Sequence, residues 1–292
     1  MAIVCTGSQG FLGQHLMSLI PSAYRVSSNS YDLRSELHVK ALFENVGHVD
    51  TLYHLAATVG GIGLNQRNPG LLFYDNMKMG LNIIEAARRY EVGKIVFIGS
   101  TCSYPKFTSI PFNERDLFNG YPEETNAPYG IAKRALYTML KAYKEQYGLK
   151  FAYVIPTNLY GPGDNFDENS SHVIPALIKK FLSSSDKVTI WGTGKATRDF
   201  LYVEDAARAI KLVGEKYEGA LNIGSGQEFR ISTLAYLIRD LTGYQGRIEY
   251  DTSKPDGQPR RCLDISRIKE LGWLPEVGLK GGLERTIEYY DR

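Results

Sequence analysis

The chain has 292 residues, 43% of them hydrophobic, and its 34 Lys and Arg against 32 Asp and Glu give a formal net charge of +2. That apolar fraction is enough for a buried core and excludes wholesale disorder. The near-balance of charge excludes the basic footprint of a nucleic-acid or membrane-surface protein, so neither partner is expected. Cys5, Cys102 and Cys262 are odd in number, far apart and without CxxC spacing, which argues against a disulfide framework and against a metal site. No run approaches the roughly 18 apolar residues of a membrane span, and the first residues lack a basic start and a long apolar stretch. A cytoplasmic protein is the expectation.

Taken in chain order, residues 2–5, 24–27, 51–55, 94–99 and 151–156 are short, rich in Val, Ile and aromatics, and predict strands. Between them, residues 10–19, 36–45, 72–90 and 129–147 predict helices. In the last, Ala132, Leu136, Met139, Leu140 and Tyr143 recur at three-to-four spacing on one face. Strand–helix alternation predicts an α/β fold, a doubly wound parallel sheet with helices on both sides. Beyond Pro156 the pattern loosens into Gly/Pro/Asn-rich loops at 161–169, 192–196 and 254–259. This predicts a smaller C-terminal α/β lobe. The helix-like 204–217 and strand-like 220–223 are expected to return to the main sheet.

The first strand runs into Gly7, Gly10 and Gly13, a GxxGxxG spacing that encloses Gln9, Phe11 and Leu12. Glycines let the backbone turn tightly and approach a pyrophosphate, and the helix that follows offers unpaired N–H groups. The expected domains are therefore a Rossmann-type dinucleotide-binding domain over 1–160 and a mainly substrate-binding lobe over 161–292, with segments near 197–225 returning to the first. After the second strand comes Arg25-Val26-Ser27-Ser28-Asn29, with no carboxylate at the position that selects NAD. Ser27, Ser28 and Asn29, with Arg25 or Arg34, suit a 2′-phosphate. The expected coenzyme is NADP, with NAD left open, and Asp32 is placed near the adenine.

Tyr129 and Lys133 stand at i and i+4 on one helix face, where a cation is expected to lower the phenol pKa and ready it for proton exchange with a carbonyl or alcohol oxygen. The YxxxK spacing occurs five times in the chain, so spacing alone does not single this pair out. Position does. Asn126-Ala127-Pro128 is a helix-start signal just before Tyr129, and Ser100 follows the fourth strand, at the end where parallel sheets bind ligands.

With these segments the chain resembles the extended short-chain dehydrogenase/reductase family, and within it the GDP-L-fucose synthase branch. The resemblance rests on residues 54–57 (HLAA), 59–62 (VGGI), 99–106 (GSTCSYPK), 126–133 (NAPYGIAK), 156–162 (PTNLYGP), 164–166 (DNF), 171–177 (SHVIPAL), 198–205 (RDFLYVED) and 254–260 (KPDGQPR). It implies an NADP(H)-dependent enzyme that epimerises C3 and C5 of GDP-4-keto-6-deoxy-D-mannose and reduces C4. A related reductase or epimerase on another nucleotide sugar, such as a heptose, and a non-catalytic dinucleotide sensor are the alternatives. It further implies Tyr129 as the proton donor at C4, Lys133 as its modulator and ribose ligand, Ser100 as a second hydroxyl at that oxygen, and Cys102 and His172 as the epimerisation base and acid. Leu55, Ala56, Ala57, Pro156, Asn158, Leu159 and His172 join the coenzyme site by the same reading. Asn158, Val173, Lys180, Trp191, Arg198, Lys254 and Arg260 are implied as GDP-sugar contacts. Two departures are visible: Lys180 replaces an Arg, and Gln9 replaces an Arg of the glycine loop. A homodimer is expected, with Tyr137, Met139, Tyr143 and helix 72–90 at its interface.

Overall fold

The structure, a computed structural model, describes residues 2–167, 170–254 and 256–291. Asn169 of the 161–169 loop and Pro255 of the 254–260 segment lie outside the described residues. The first half is built from β1 (Ile3–Thr6), α1 (Phe11–Leu19), β2 (Tyr24–Val26), α2 (Glu36–Val46), β3 (Thr51–His54), α3 (Ile62–Arg67), α4 (Pro69–Arg89), β4 (Lys94–Ile98), α5 (Ala127–Tyr147) and β5 (Phe151–Pro156). The second half adds β6 (Asn158–Tyr160), α6 (Val173–Ser183), β7 (Lys187–Trp191), β8 (Thr197–Arg198), β9 (Phe200–Tyr202), α7 (Val203–Lys216) and β10 (Gly219–Ile223). It closes with β11 (Phe229–Arg230), α8 (Ile231–Thr242), β12 (Arg247–Asp251), β13 (Arg260–Arg261), α9 (Ser266–Glu270) and α10 (Leu279–Asp291).

Six strands form one sheet in the order β10-β5-β4-β3-β1-β2, every pair parallel. Helices cover both faces of such a sheet, so its strands read as continuous apolar runs; β5 is buried along Phe151–Ile155. The order reverses at β1, with β2 on one side and β3 on the other, and the crevice above that switch point is where doubly wound sheets take ligands. α7 packs against α1, β4 and β5, and β10 pairs with β5. By contrast, β8 and β9 join small sheets, with β11 and β13 and with β6. A second apolar cluster, centred on α6, α8 and β7, stands apart from the main core.

Two glycines set how close the central elements come. A Cβ at Gly80 of α4 would sit 2.4 Å from Leu136 of α5. At Gly130 of α5 it would sit 2.2 Å from the backbone oxygen of Cys102, in the 3-10 turn Thr101–Ser103 that follows β4. α5 begins at Ala127 with Pro128 in its first turn, where a missing N–H costs nothing. The Asn126 side chain does not cap it and donates to the Glu123 carboxylate at 2.9 Å.

The face expected at a subunit interface is partly used inside the chain. Tyr137 packs on Tyr153, ring centroids 4.6 Å apart, and the Tyr143 hydroxyl donates to Glu85 at 2.9 Å. Leu71, Tyr74 and Leu81 of α4 remain exposed.

Gly130→Ala is expected to lose at least about 2 kcal/mol in urea unfolding, because the intruding methyl meets backbone rather than a yielding side chain. Gly281→Ala on α10, where nothing lies within 4 Å, is expected to gain a few tenths of a kcal/mol. Equal stability of the two variants would contradict this account of helix placement.

Candidate active site

A cleft of about 1380 Å³ opens above the carboxyl ends of β1, β3, β4 and β5 and extends under α6 and β7. Its floor begins at the glycine loop. Gly7 has φ +69° and a Cβ there would meet Ala56 N at 2.7 Å; one on Gly13 would meet Gly7 O at 2.1 Å. The first turn of α1, entered from Gly10 without a side-chain cap, leaves its N–H groups for a ligand. A cradle this bare of side chains, facing an uncapped helix start, fits a dinucleotide pyrophosphate. Of the residues the sequence assigned to the coenzyme, Arg25 and Asn29 lie outside the cleft wall and the others line it. Ser27, two residues before Asn29, enters a turn in which Ser30 donates to Ser27 O at 2.9 Å.

At the centre stand Ser100, Cys102, Tyr129 and Lys133. β4 delivers Ser100, whose Oγ accepts from Cys102 N at 3.1 Å and holds the turn. α5 carries Tyr129 and Lys133 past it. Burial pushes the Tyr129 phenol up, with the neighbouring Cys102 adding to it and a hydrogen bond with Ser100 opposing it. The net shift is upward, where the spacing with Lys133 predicts a fall. Lys133 is buried, its Nζ donates to Ile98 O at 3.0 Å, and it lies 5.7 Å from the Tyr129 ring centre. Desolvation brings Lys133 itself down to about 7. His54 bonds Thr6 Oγ1 through Nδ1 at 2.8 Å; burial, then the nearby Lys133, drops it to about 3. It is a neutral, structural imidazole.

The opposite wall comes from the second half of the chain. The loop after β3 meets residues 170–171 backbone to backbone: Gly61 N donates to Ser170 O at 3.0 Å, and a Cβ on Gly61 would strike Ser171 O at 2.5 Å. This contact sets His172, the residue before α6, into the cleft wall. His172 is extended (φ −80°, ψ 174°), does not cap α6, and is accessible from the cleft. The surrounding protein desolvates it and lowers its pKa.

Cationic side chains complete that wall. Arg198 donates to Thr197 O at 2.7 Å, Gln258 O at 2.6 Å and Asp256 O at 3.3 Å; burial, then Arg261, brings it down to about 9. Lys180 donates to Thr189 O at 2.8 Å. Asn158, Val173 and Trp191 also line the cleft. Lys254 does not; it sits 5.6 Å over the Trp191 ring. Arg260 does not either. It is exposed and paired with Glu228 at 3.2 Å, and the next residue, Arg261, turns inward instead. The two form β13, where successive side chains take opposite faces, so the motif pointed one residue short.

Arg261 Nη1 lies 3.8 Å from Cys102 Sγ, and its Nε donates to Gln258 Oε1 at 3.1 Å. Gln258 in turn donates to Lys106 O at 3.0 Å, joining the 256–261 segment to the turn that carries Cys102. Sequence reasoning missed Gln258, Arg261 and Ser171. The 254–260 motif flagged the segment without the strand phase that separates inward from outward residues.

The profile of the NAD dependent epimerase/dehydratase family matches residues 3–224. A protein of Oryza sativa subsp. japonica named probable GDP-L-fucose synthase 1 is 40% identical over 301 aligned positions, covering 99% of this chain and 91% of the relative. The structure of a GDP-6-OMe-4-keto-L-xylo-heptose reductase from C. jejuni superposes with a TM-score of 0.94 at 26% identity, over 99% of this chain and 97% of that one. A GDP-L-fucose synthetase from Naegleria fowleri bound to NADP gives 0.89 at 28%, over 99% and 93%.

The buried Lys133 makes stability depend on pH with a definite sign. Between about 7, its folded value, and 10.5, its ordinary one, the unfolded chain holds more protons, so the folded state gains as pH rises. The unfolding free energy of the natural chain minus that of Lys133→Met is expected to climb between pH 7 and 10, with a slope of up to about 1.4 kcal/mol per pH unit. A flat or falling difference would contradict the burial argument.

Proposed function

We propose that this chain, which belongs to the NAD dependent epimerase/dehydratase family, converts GDP-4-keto-6-deoxy-D-mannose to GDP-L-fucose by epimerisation at C3 and C5 and reduction at C4. The observation that carries this reading is the convergence in one cleft of a Ser100–Tyr129 hydroxyl pair, the Cys102 thiol and, from a different element, His172. The expected coenzyme is NADP(H), which when bound supplies hydride to C4. The glycine cradle and the N-terminus of α1 would hold its pyrophosphate, and Lys133 would hold its nicotinamide ribose.

The residues divide the proton work. A C4 ketone acidifies the C–H bonds at C3 and C5, and the thiolate of Cys102 removes a proton there. Arg261, beside Sγ, is the cation that faces the charge on sulfur. Desolvation lowers the His172 pKa, and His172 can return to the opposite face of the ring the proton that Cys102 gives up when it becomes a base. Tyr129, kept protonated by burial, then gives its proton to the C4 oxygen while Ser100 holds that oxygen in place. Lys133 offsets the charge left on the phenol. Arg198 and Lys180 face the diphosphate. We further propose a cytoplasmic homodimer joined through the exposed Leu71, Tyr74 and Leu81 of α4.

The relative that is a heptose reductase motivates the second reading, a nucleotide-sugar 4-reductase without epimerisation. One incubation in heavy water with the 4-keto sugar and NADPH separates them. The expected product is GDP-L-fucose carrying deuterium at C3 and C5, and joint substitution of Cys102→Ser and His172→Asn is expected to slow that incorporation at least about a hundredfold. NADPH oxidation without deuterium would overturn the epimerase half; deuterium without oxidation would overturn the reductase half.

A further inference from the structure

Residues that leave the second strand of such a sheet meet the adenosine ribose, and their charge decides whether a 2′-hydroxyl or a 2′-phosphate is accepted. Here that stretch of the wall holds Ser27, Ser28, Asp32 and Arg34, with Gln9 entering from the glycine loop. Arg25, on β2 itself, stands outside the cleft wall. Arg34 is therefore the guanidinium this segment offers, and it is already engaged. Its Nε and Nη2 donate to the two oxygens of Asp32, each at 3.0 Å, and its Nη1 reaches both oxygens of Asp75 at 3.4 Å. Asp32 is fixed a second time by Arg34 N at 3.0 Å, and Asp75, on α4, takes a hydrogen bond from Thr58 at 3.3 Å. Two carboxylates against one guanidinium leave the cluster net negative.

A phosphate monoester near −2 entering beside this cluster must draw Arg34 away from a bidentate partner and face both carboxylates. A ribose diol meets no such conflict, because its hydroxyls donate to a carboxylate and accept nothing that Arg34 must surrender. Gln9, Ser27 and Ser28 add neutral hydrogen bonds that serve either coenzyme. We propose that Asp32, through its grip on Arg34, sets the coenzyme choice of this chain, and that the Asp32–Arg34–Asp75 cluster admits NAD(H) within about tenfold of NADP(H). The proposal rests on the coenzyme reading above and gives the choice that the sequence left open a physical basis in one ion pair.

Calorimetric titration of the natural chain, Asp32→Asn and Arg34→Gln with NAD+ and NADP+ tests it without turnover. Asparagine keeps the oxygen that accepts Arg34 N while removing the charge. The natural chain is expected to bind the two within about tenfold of each other. Asp32→Asn is expected to tighten NADP+ at least about tenfold and change NAD+ by less than about threefold; Arg34→Gln is expected to weaken NADP+ selectively. A natural preference for NADP+ beyond about tenfold, or an unmoved ratio in a folded Asp32→Asn, would overturn the proposal. Binding of neither dinucleotide by the natural chain would overturn the coenzyme reading itself and this inference with it.

Discussion

The cleft depends on one close approach of backbone to backbone. At Gly130 the helix that carries Tyr129 and Lys133 lies against the carbonyl of Cys102, at a separation that leaves no room for a side chain. Because a helix is stiff, that contact fixes the phenol, the buried ammonium, the Ser100 hydroxyl and the Cys102 thiol as one unit. The contact of Gly61 with residues 170–171 does the same for His172, joining the second half of the chain to the sheet without an intervening side chain. Both contacts are made of peptide groups and resist deformation, which suits a site whose groups must meet one sugar ring from two sides.

Burial, more than pairing, sets the electrostatics of this site. Lys133, Arg198 and His172 are each shifted toward their neutral forms with desolvation as the largest cause. Tyr129 is shifted toward its neutral form for the same reason. Lys133 and Arg198 give their hydrogen bonds to backbone carbonyls, which carry no formal charge. The adenosine end is built on the opposite principle, with Arg34 held by two side-chain carboxylates, Asp32 exposed and Asp75 buried.

Much of this was legible in the sequence where local rules act. The glycine spacing after β1, the alternation of strands and helices through β5, and Pro128 at the start of α5 each reflect backbone geometry a few residues long. The helices α6, α8 and α10 were not separately read, because Gly- and Pro-rich loops interrupt the periodicity around them. Arg260 against Arg261 was decided by the phase of a two-residue strand, which no motif encodes. The direction of the Tyr129 shift was misread for a related reason. An i, i+4 spacing gives proximity, while the depth of burial that outweighs it comes from the whole fold. Tyr137 likewise lies on the helix face that the periodicity marked, and only the tertiary structure shows its ring taken up by Tyr153.

The central claim is that one cleft holds two separable proton devices, Tyr129 with Ser100 for the ketone oxygen and Cys102 with His172 for the ring carbons. Its most direct test is Tyr129→Phe with NADPH and the 4-keto sugar in heavy water, following coenzyme oxidation and deuterium at C3 and C5 together. The account predicts that oxidation falls at least about a hundredfold while deuterium incorporation persists. Oxidation at the natural rate, or loss of incorporation in step with it from a folded variant, would contradict the account.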